Sequence, residues 1–294
     1  MAELKQFVIT LFNLRLWDKD KSKASTRTSE WMDGRLALFE KYTLPAMKGQ
    51  TLKDYTWLCL FDKDTPKKYL DKIEEYKKEV PAFTPIFFTK EQAEDRGNAL
   101  HSAMRQFLSG DERFILTTNV DNDDSIDFEM LARVRSEVER SIQTAQKEGD
   151  YKSVYGLYNC LYGYQYFISK GMVIRMMYPH NHFQTICEAP ESFLTIKGFP
   201  HTKVRKLFQN HDISDNGRPY WMEIVHSRNV NNDYRIDLRL KNIPVWKSVD
   251  LNSFGLDRVL SASNNTFKSI FVLPYLFVTT AVKGIRRHLF KKNG

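Results

Sequence analysis

A chain of 294 residues, 42% apolar and 13% aromatic, can bury a substantial core as one large α/β domain or two small ones, and its scattered Phe, Tyr and Trp exclude a disordered chain. Its three cysteines, Cys59, Cys160 and Cys187, are odd in number and lack paired spacing, which argues against a disulfide framework or a zinc cluster and fits a reducing compartment. The net charge of +8 is concentrated, because residues 258–294 carry seven Lys or Arg and no Asp or Glu; a nucleic-acid binder would instead spread its basic residues over the folded body.

Met1-Ala2-Glu3-Leu4-Lys5 leads directly into a strand-like run, so no signal peptide is expected and a cytoplasmic protein is. Gln6 to Phe12 is a short apolar run rich in β-formers and predicts a buried first strand. The polar stretch Asn13 to Thr28 predicts a loop at its end. Ser29 to Leu44 predicts an amphipathic helix, capped near Thr28 or Ser29 and ended by Pro45. Tyr55 to Phe61 predicts the second strand, Asp62 to Pro66 a turn, and the residues up to Val80 a helix with Pro66 in its first turn. Phe83 to Thr89 predicts a third strand, Glu91 to Leu108 a helix, and Arg113 to Thr118 a fourth strand. A further helix is expected after Asp127, up to about Lys147.

This alternation predicts a Rossmann-like α/β fold, a mostly parallel sheet with helices on both faces. Ligands in such sheets bind beyond the carboxyl ends of the strands. Tyr151 to Trp246 is more mixed, with strand-like runs at Val154 to Leu161, Tyr164 to Ile168 and Trp221 to His226.

The fourth strand runs into Asn119-Val120-Asp121-Asn122-Asp123-Asp124-Ser125-Ile126-Asp127, with four Asp in nine residues and no basic residue nearby in sequence. Crowding these charges costs free energy unless something cationic sits among them. A hard divalent cation, Mn²⁺ or Mg²⁺, is one solution; a solvated loop before an acid-favouring helix N-terminus is the other. In the first case one of Asp121 and Asp123 ligates the metal and the other reaches a ribose hydroxyl or a metal-bound water. An EF-hand loop fits poorly, lacking the required Gly and Glu.

At these residues the chain resembles the rhamnosyltransferase family of bacterial surface-polysaccharide synthesis, whose catalytic domain has the GT-A fold. The likeness rests on Phe7 to Arg15, on Trp31 to Gln50 with Trp57 to Asp62, and on Thr117 to Asp124; Pro219 to His226 with Asn229 is a weaker match. Asn119 stands where the resemblance leads one to expect Arg.

The resemblance implies a GT-A-like fold with a nucleotide-sugar-binding half at 1–130, a mixed acceptor-side half of the same domain at 131–257, and a basic C-terminal helical tail at 258–294. It implies inverting transfer of a deoxyhexose, rhamnose, from a nucleoside-diphosphate sugar to a saccharide or lipid-linked acceptor near the inner face of the membrane. The nucleotide is expected on Thr10, Asn13, Arg15, Asp62, Asp121 and Asn122, and the metal on Asp123 and Asp121. His226, which ends the last strand-like run, would complete the metal shell, with His201 as a rival. Arg35 fits a structural ion pair better than catalysis. Inversion needs a carboxylate to take the acceptor proton. Glu188, following the apolar run Phe183 to Cys187, is the first choice; Asp215 is the second, and Asp212 and Glu191 are further alternatives.

Neither Gly-x-Ser-x-Gly nor a P-loop is present, which leaves nucleophilic-serine and kinase readings without support. A non-catalytic nucleotide- or saccharide-binding protein and a nucleotidyltransferase stay open as alternatives. In the tail, Ile270 to Val282 is apolar, interrupted by Pro274 and too short to span a bilayer. With Lys283, Arg286, Arg287, Lys291 and Lys292 after it, it suits peripheral contact with anionic lipid or packing against the core.

Overall fold

Strand β1 (Leu4–Leu11) is apolar on both sides: Phe7 and Ile9 pack into one layer, Leu4 and Val8 into the other. A strand buried on both faces belongs at the centre of a covered parallel sheet. The computed structural model describes residues 3–14, 25, 26, 28–191, 193–226, 242–244, 248–257, 259, 260, 270, 274 and 278, and puts β1 there.

From β1 the chain passes through helices α1 (Ser29–Leu38) and α2 (Leu44–Lys48) to β2 (Thr56–Asp62), and through α3 (Lys67–Glu79) to β3 (Phe83–Phe88). Helices α4 (Lys90–Glu94) and α5 (Arg96–Arg105) then lead to β4 (Phe114–Asn119). β5 (Ser125–Ile126), α6 (Met130–Glu148), β6 (Gly156–Cys160), β7 (Tyr162–Phe167) and β8 (Met172–Met177) follow. The described part closes with β9 (Thr185–Glu188), α7 (His201–Leu207), β10 (Asn210–Ile213), β11 (Trp221–Val225), β12 (Asn242–Pro244) and short pairings after it.

The large sheet has the order β10-β6-β9-β4-β1-β2-β3. β1 pairs in parallel with β2 and β4, and β2 with β3, while β9 runs antiparallel to both β4 and β6. One face is covered by α1 to α3 and α6, the other by α4, α5 and α7. The fold is therefore the mostly parallel, doubly covered α/β sheet expected. The chain winds outward from β1 to β3 and then returns to the other side of β1 at β4. The crevice beyond the carboxyl ends of β1 and β4 is thus the topological switch point, where such sheets take ligands.

A second sheet, β12-β8-β7-β11-β5, forms from the mixed region. β5 belongs to it through antiparallel pairing with β11, so the acidic turn between β4 and β5 joins the two sheets. The halves expected at 1–130 and 131–257 share the large sheet, because β6, β9 and β10 extend it beyond β4.

Two helix boundaries differ from expectation. Pro45 does not end the first helix: α1, capped by the Thr28 side chain, passes into a π-helical turn, Phe39–Thr43, and resumes as α2 with Pro45 in its first turn. The Leu44 N–H reaches back to the Phe39 carbonyl, and proline at a helix start owes no hydrogen bond. The helix expected at Glu91 to Leu108 breaks at Asp95, whose carboxylate accepts both bonds from the Asn98 amide at 3.0 and 3.1 Å. Local side-chain bonding of this kind competes with helix continuation. Of the tail, only 259, 260, 270, 274 and 278 are described: 259 and 260 lie in a short strand and 270, 274 and 278 in helix, and the rest of the helical expectation lies outside the described residues. No described helix is long and apolar enough to cross a membrane.

Candidate functional site

The acidic turn starts where β4 ends, and the chain holds its backbone from several sides. The Val120 N–H donates to the Ile9 carbonyl at 3.3 Å, and the Thr10 hydroxyl donates to the Val120 carbonyl at 2.7 Å. The Thr43 hydroxyl, from the π-helical turn, donates to the Asp124 carbonyl at 2.8 Å. The Ser125 hydroxyl donates to the Phe254 carbonyl at 2.8 Å. The turn is a fixed scaffold for its carboxylates.

Each carboxylate has its own partner. Asp123 Oδ2 accepts from the Arg35 guanidinium and lies 2.9 Å from His226 Nε2. Burial works against ionisation there, but Arg35 and His226 outweigh it and hold the carboxyl well below the usual range. Asp127 lies 3.0 Å from Arg218 and accepts the Glu129 N–H at the start of α6. Asp124 is fully buried: Oδ1 accepts the Ile224 N–H of β11 at 2.7 Å, and Oδ2 lies 2.7 Å from His182 Nε2.

Asp121, the most exposed of the three turn acids, has a side chain 45% accessible. It lies 3.9 Å from His182 and 3.6 Å from Lys197 Nζ. Burial pushes the Asp124 carboxyl up, and the Asp124 and Asp121 charges push the His182 imidazole up against its own burial, so the pair favours a shared proton.

No basic residue lies near the acidic turn in sequence. In space, Arg35, Lys197 and Arg218 come to the turn from elsewhere in the chain, and part of the charge balance is internal. What remains is one group among the described residues: Asp121, Asp124 and His182 each offer a ligand atom, all within 4.8 Å of one another. Two carboxylates and an imidazole are an acceptable donor set for Mn²⁺, so these residues fit the implied cation. This group differs from the expected Asp121, Asp123 and His226 in two members, with Asp124 in place of Asp123 and His182 in place of His226. Asp123 is committed to the permanently charged Arg35, and His226 lies against that pair.

The expected nucleotide residues fare unevenly. Asn13 and Asp62 do meet at the carboxyl edge of β1 and β2: the Asp62 N–H donates to Asn13 Oδ1 at 3.0 Å, and Asn13 Nδ2 donates to Thr65 Oγ1 at 3.1 Å. Asp62 also accepts the Asp64 N–H at 2.7 Å, an Asx turn. Thr10 is fully buried and also accepts from Trp57 Nε1 at 2.9 Å. Asn122 accepts from Arg35 at 3.2 Å and donates to the Phe12 carbonyl at 3.0 Å, tying the turn to the residue that follows β1. Arg15 and Asn229 lie outside the described residues.

Both expected catalytic acids are engaged elsewhere. Glu188 pairs with Ile115 near the start of β4 because β9 is antiparallel, and that is the wrong end of the sheet. Its oxygens accept the Leu194 and Thr195 N–H groups at 2.9 and 3.0 Å. Asp215 forms a two-pronged ion pair with Arg133 at 2.7 and 2.9 Å and accepts from the Tyr220 hydroxyl at 2.6 Å. Asp212 is paired with Arg205. His201 lies beside His182, ring centroids 6.2 Å apart.

Four residues near the turn were not assigned from sequence: Asp124, His182, Lys197 and Glu223. Glu223 on β11 is 5% exposed, accepts from Gln165 Nε2 at 2.7 Å, and its charge acts on His182. His182 precedes the strand that lies beside β4, but only the antiparallel placement of that strand reveals the proximity. A surface hollow between β3 and α4–α5, lined by Phe87, Glu91, Asp95 and Ser102, lies on the far edge of the sheet from the turn.

Together, the 3-2-1-4 strand order continued by an antiparallel strand, and the acidic turn at the switch point, define a GT-A-like α/β protein. Residues 15–237 match the family described as "Putative rhamnosyl transferase", and the chain belongs to that family. Comparison with curated proteins gives no match. Among solved structures the chain is similar to Staphylococcus aureus TarS 1-349 in complex with UDP, at 13% identity and a TM-score of 0.43, over 75% of this chain and 60% of that one. It is also similar to a "putative nucleotide-diphospho-sugar transferase" from Desulfovibrio desulfuricans G20, at 10% identity and a TM-score of 0.37, over 78% and 84% of the two chains. The chain spans about 60% of the length of the TarS 1-349 structures it matches.

Proposed function

We propose that the protein transfers rhamnose from a nucleoside-diphosphate sugar to a saccharide or lipid-linked acceptor, with inversion at the anomeric carbon, as a step in polysaccharide synthesis. The observation that carries this reading is the convergence of Asp121, Asp124 and His182 at the switch point of a chain belonging to a rhamnosyl transferase family. These three residues would hold Mn²⁺ or Mg²⁺, which when bound supplies charge neutralisation to the departing diphosphate. Asn13 and Asp62 form the edge on which the nucleoside rests.

In the transfer, the acceptor hydroxyl oxygen bonds to the anomeric carbon as the carbon–oxygen bond to the diphosphate breaks. The bonding electrons leave with the diphosphate, and the hydroxyl proton goes to a carboxylate. With Glu188 and Asp215 engaged in structural bonds, we assign that role to Glu223, a buried carboxylate on β11, the strand that pairs with β5 at the end of the acidic turn.

Incubation with a sugar nucleotide and acceptor should release a nucleoside diphosphate in Mn²⁺, and EDTA should stop it. Glu223→Gln should lower kcat by about 10²–10⁴-fold with donor affinity unchanged. Release of pyrophosphate from a triphosphate would instead establish a nucleotidyltransferase. A non-catalytic binding protein is the second reading, favoured by the ion pairs that already balance Asp121 and Asp123. It predicts nucleotide binding without turnover.

We further propose a cytoplasmic enzyme, peripheral on the inner face of the membrane through its basic tail. The full chain should sediment with anionic vesicles and a truncation before Phe267 should not; equal sedimentation of both rejects the anchor.

A further inference from the structure

Lys197 reaches the acidic turn from a short loop that nothing in its sequence marks as special. Its ammonium lies 3.6 Å from Asp121 Oδ1, and its side chain is only 13% exposed while that of Asp121 is 45% exposed. That separation is an ion-pair distance, too long for a hydrogen bond, so the ammonium can turn its donors toward a second anion. The positive charge of Arg96, at the start of α5, acts on it as well. Lys197 is thus a largely buried cation set against an exposed carboxylate at the switch point.

The loop is over-determined. Thr195 has φ +64°, a left-handed value that a β-branched residue rarely adopts. Four bonds hold it. Glu188 receives the Leu194 and Thr195 N–H groups with its two oxygens, at 2.9 and 3.0 Å. Thr117 Oγ1 of β4 receives the Ile196 N–H at 2.9 Å. The Thr195 hydroxyl receives the Lys197 N–H at 3.2 Å, which sets the direction of the next side chain. Ile196 is buried in the core layer below. Strain in a segment fixed this way is retained where position matters.

We propose that Lys197 binds the diphosphate of the donor beside Asp121, and that Glu188 is the positioning residue that holds its loop in place. The inference rests on the glycosyltransferase reading above and extends it to a named phosphate contact. It also gives the lysine a second effect, since a tethered ammonium competes with a divalent cation for Asp121.

Titration calorimetry with MnCl₂ alone and with UDP and dTDP in saturating Mn²⁺ tests it. Lys197→Met should weaken binding of the preferred diphosphate at least about tenfold. The same variant should bind Mn²⁺ alone as tightly as wild type or tighter, whereas a folding defect would weaken both. Lys197→Gln should repeat the loss, and Lys197→Arg should restore part of it. Glu188→Gln should weaken the diphosphate in wild type but add little in the Lys197→Met background. Lys203→Met, on the exposed side of α7, should change nothing. Diphosphate affinity unchanged in Lys197→Met, or losses from the two sites that add in full, would overturn the proposal. If wild type binds neither diphosphate in Mn²⁺, the glycosyltransferase reading falls and takes this inference with it. Binding by wild type with no loss in Lys197→Met rejects the inference alone.

Discussion

Asp121, Asp123 and Asp124 are neighbours in sequence, but only Asp121 and Asp124 converge, on His182. Asp123 faces α1 and takes Arg35; Asp124 points into the core and takes a β11 N–H; Asp121 alone is well exposed. The sequence shows that the turn is acidic and follows a buried strand, because both are local properties. Which carboxylate meets which partner depends on β9 and β11, which arrive from far along the chain. His182 and Lys197 were illegible for that reason, and Glu188 was misplaced because its strand runs antiparallel. Glu188 carries its own test. Burial pushes its carboxyl up to about 7 from a usual 4.5. Between those values the folded protein keeps a proton that the unfolded chain has lost, so stability should fall as pH rises through that window. Urea midpoints measured from about pH 4 to about pH 8 should show that slope in wild type and a shallower one in Glu188→Gln. Parallel slopes would mean that Glu188 ionises normally.

Among the elements, the strands of the large sheet were the most legible, because β1, β2 and β4 are apolar runs of the length such strands require. Helix ends were less so. Pro45 reads locally as a stop, yet the π-helical turn before it lets the helix continue and turns Tyr42 into the core beneath the second sheet, while Phe39 stays in the main one. The second sheet was legible only as isolated runs, since its order, β12-β8-β7-β11-β5, mixes distant segments. One close contact holds it to the site. Gly163 on β7 has no room for a side chain, as an added Cβ would sit 2.0 Å from the Trp221 ring. Trp221 stacks on Phe183 with centroids 5.3 Å apart, next to His182. Gly163→Ala should therefore cost about 1–3 kcal/mol in urea unfolding, the usual range for overpacking. A loss below about 0.5 kcal/mol would show that the stack yields freely.

At the scale of the molecule, the acidic turn joins two sheets and gathers side chains from α1, from the loops around β9 and from β11. Such a junction can be held by ion pairs alone, and Arg35 and Lys197 supply two of them. The decisive question is whether the remaining Asp121, Asp124 and His182 group takes a divalent cation and uses it to bind a diphosphate. A thermal-shift panel of nucleoside diphosphates, each with and without Mn²⁺, answers it directly. One diphosphate should raise Tm only when Mn²⁺ is present, and Asp121→Asn should abolish the rise. Equal stabilisation without metal, or no stabilisation by any diphosphate, would contradict it.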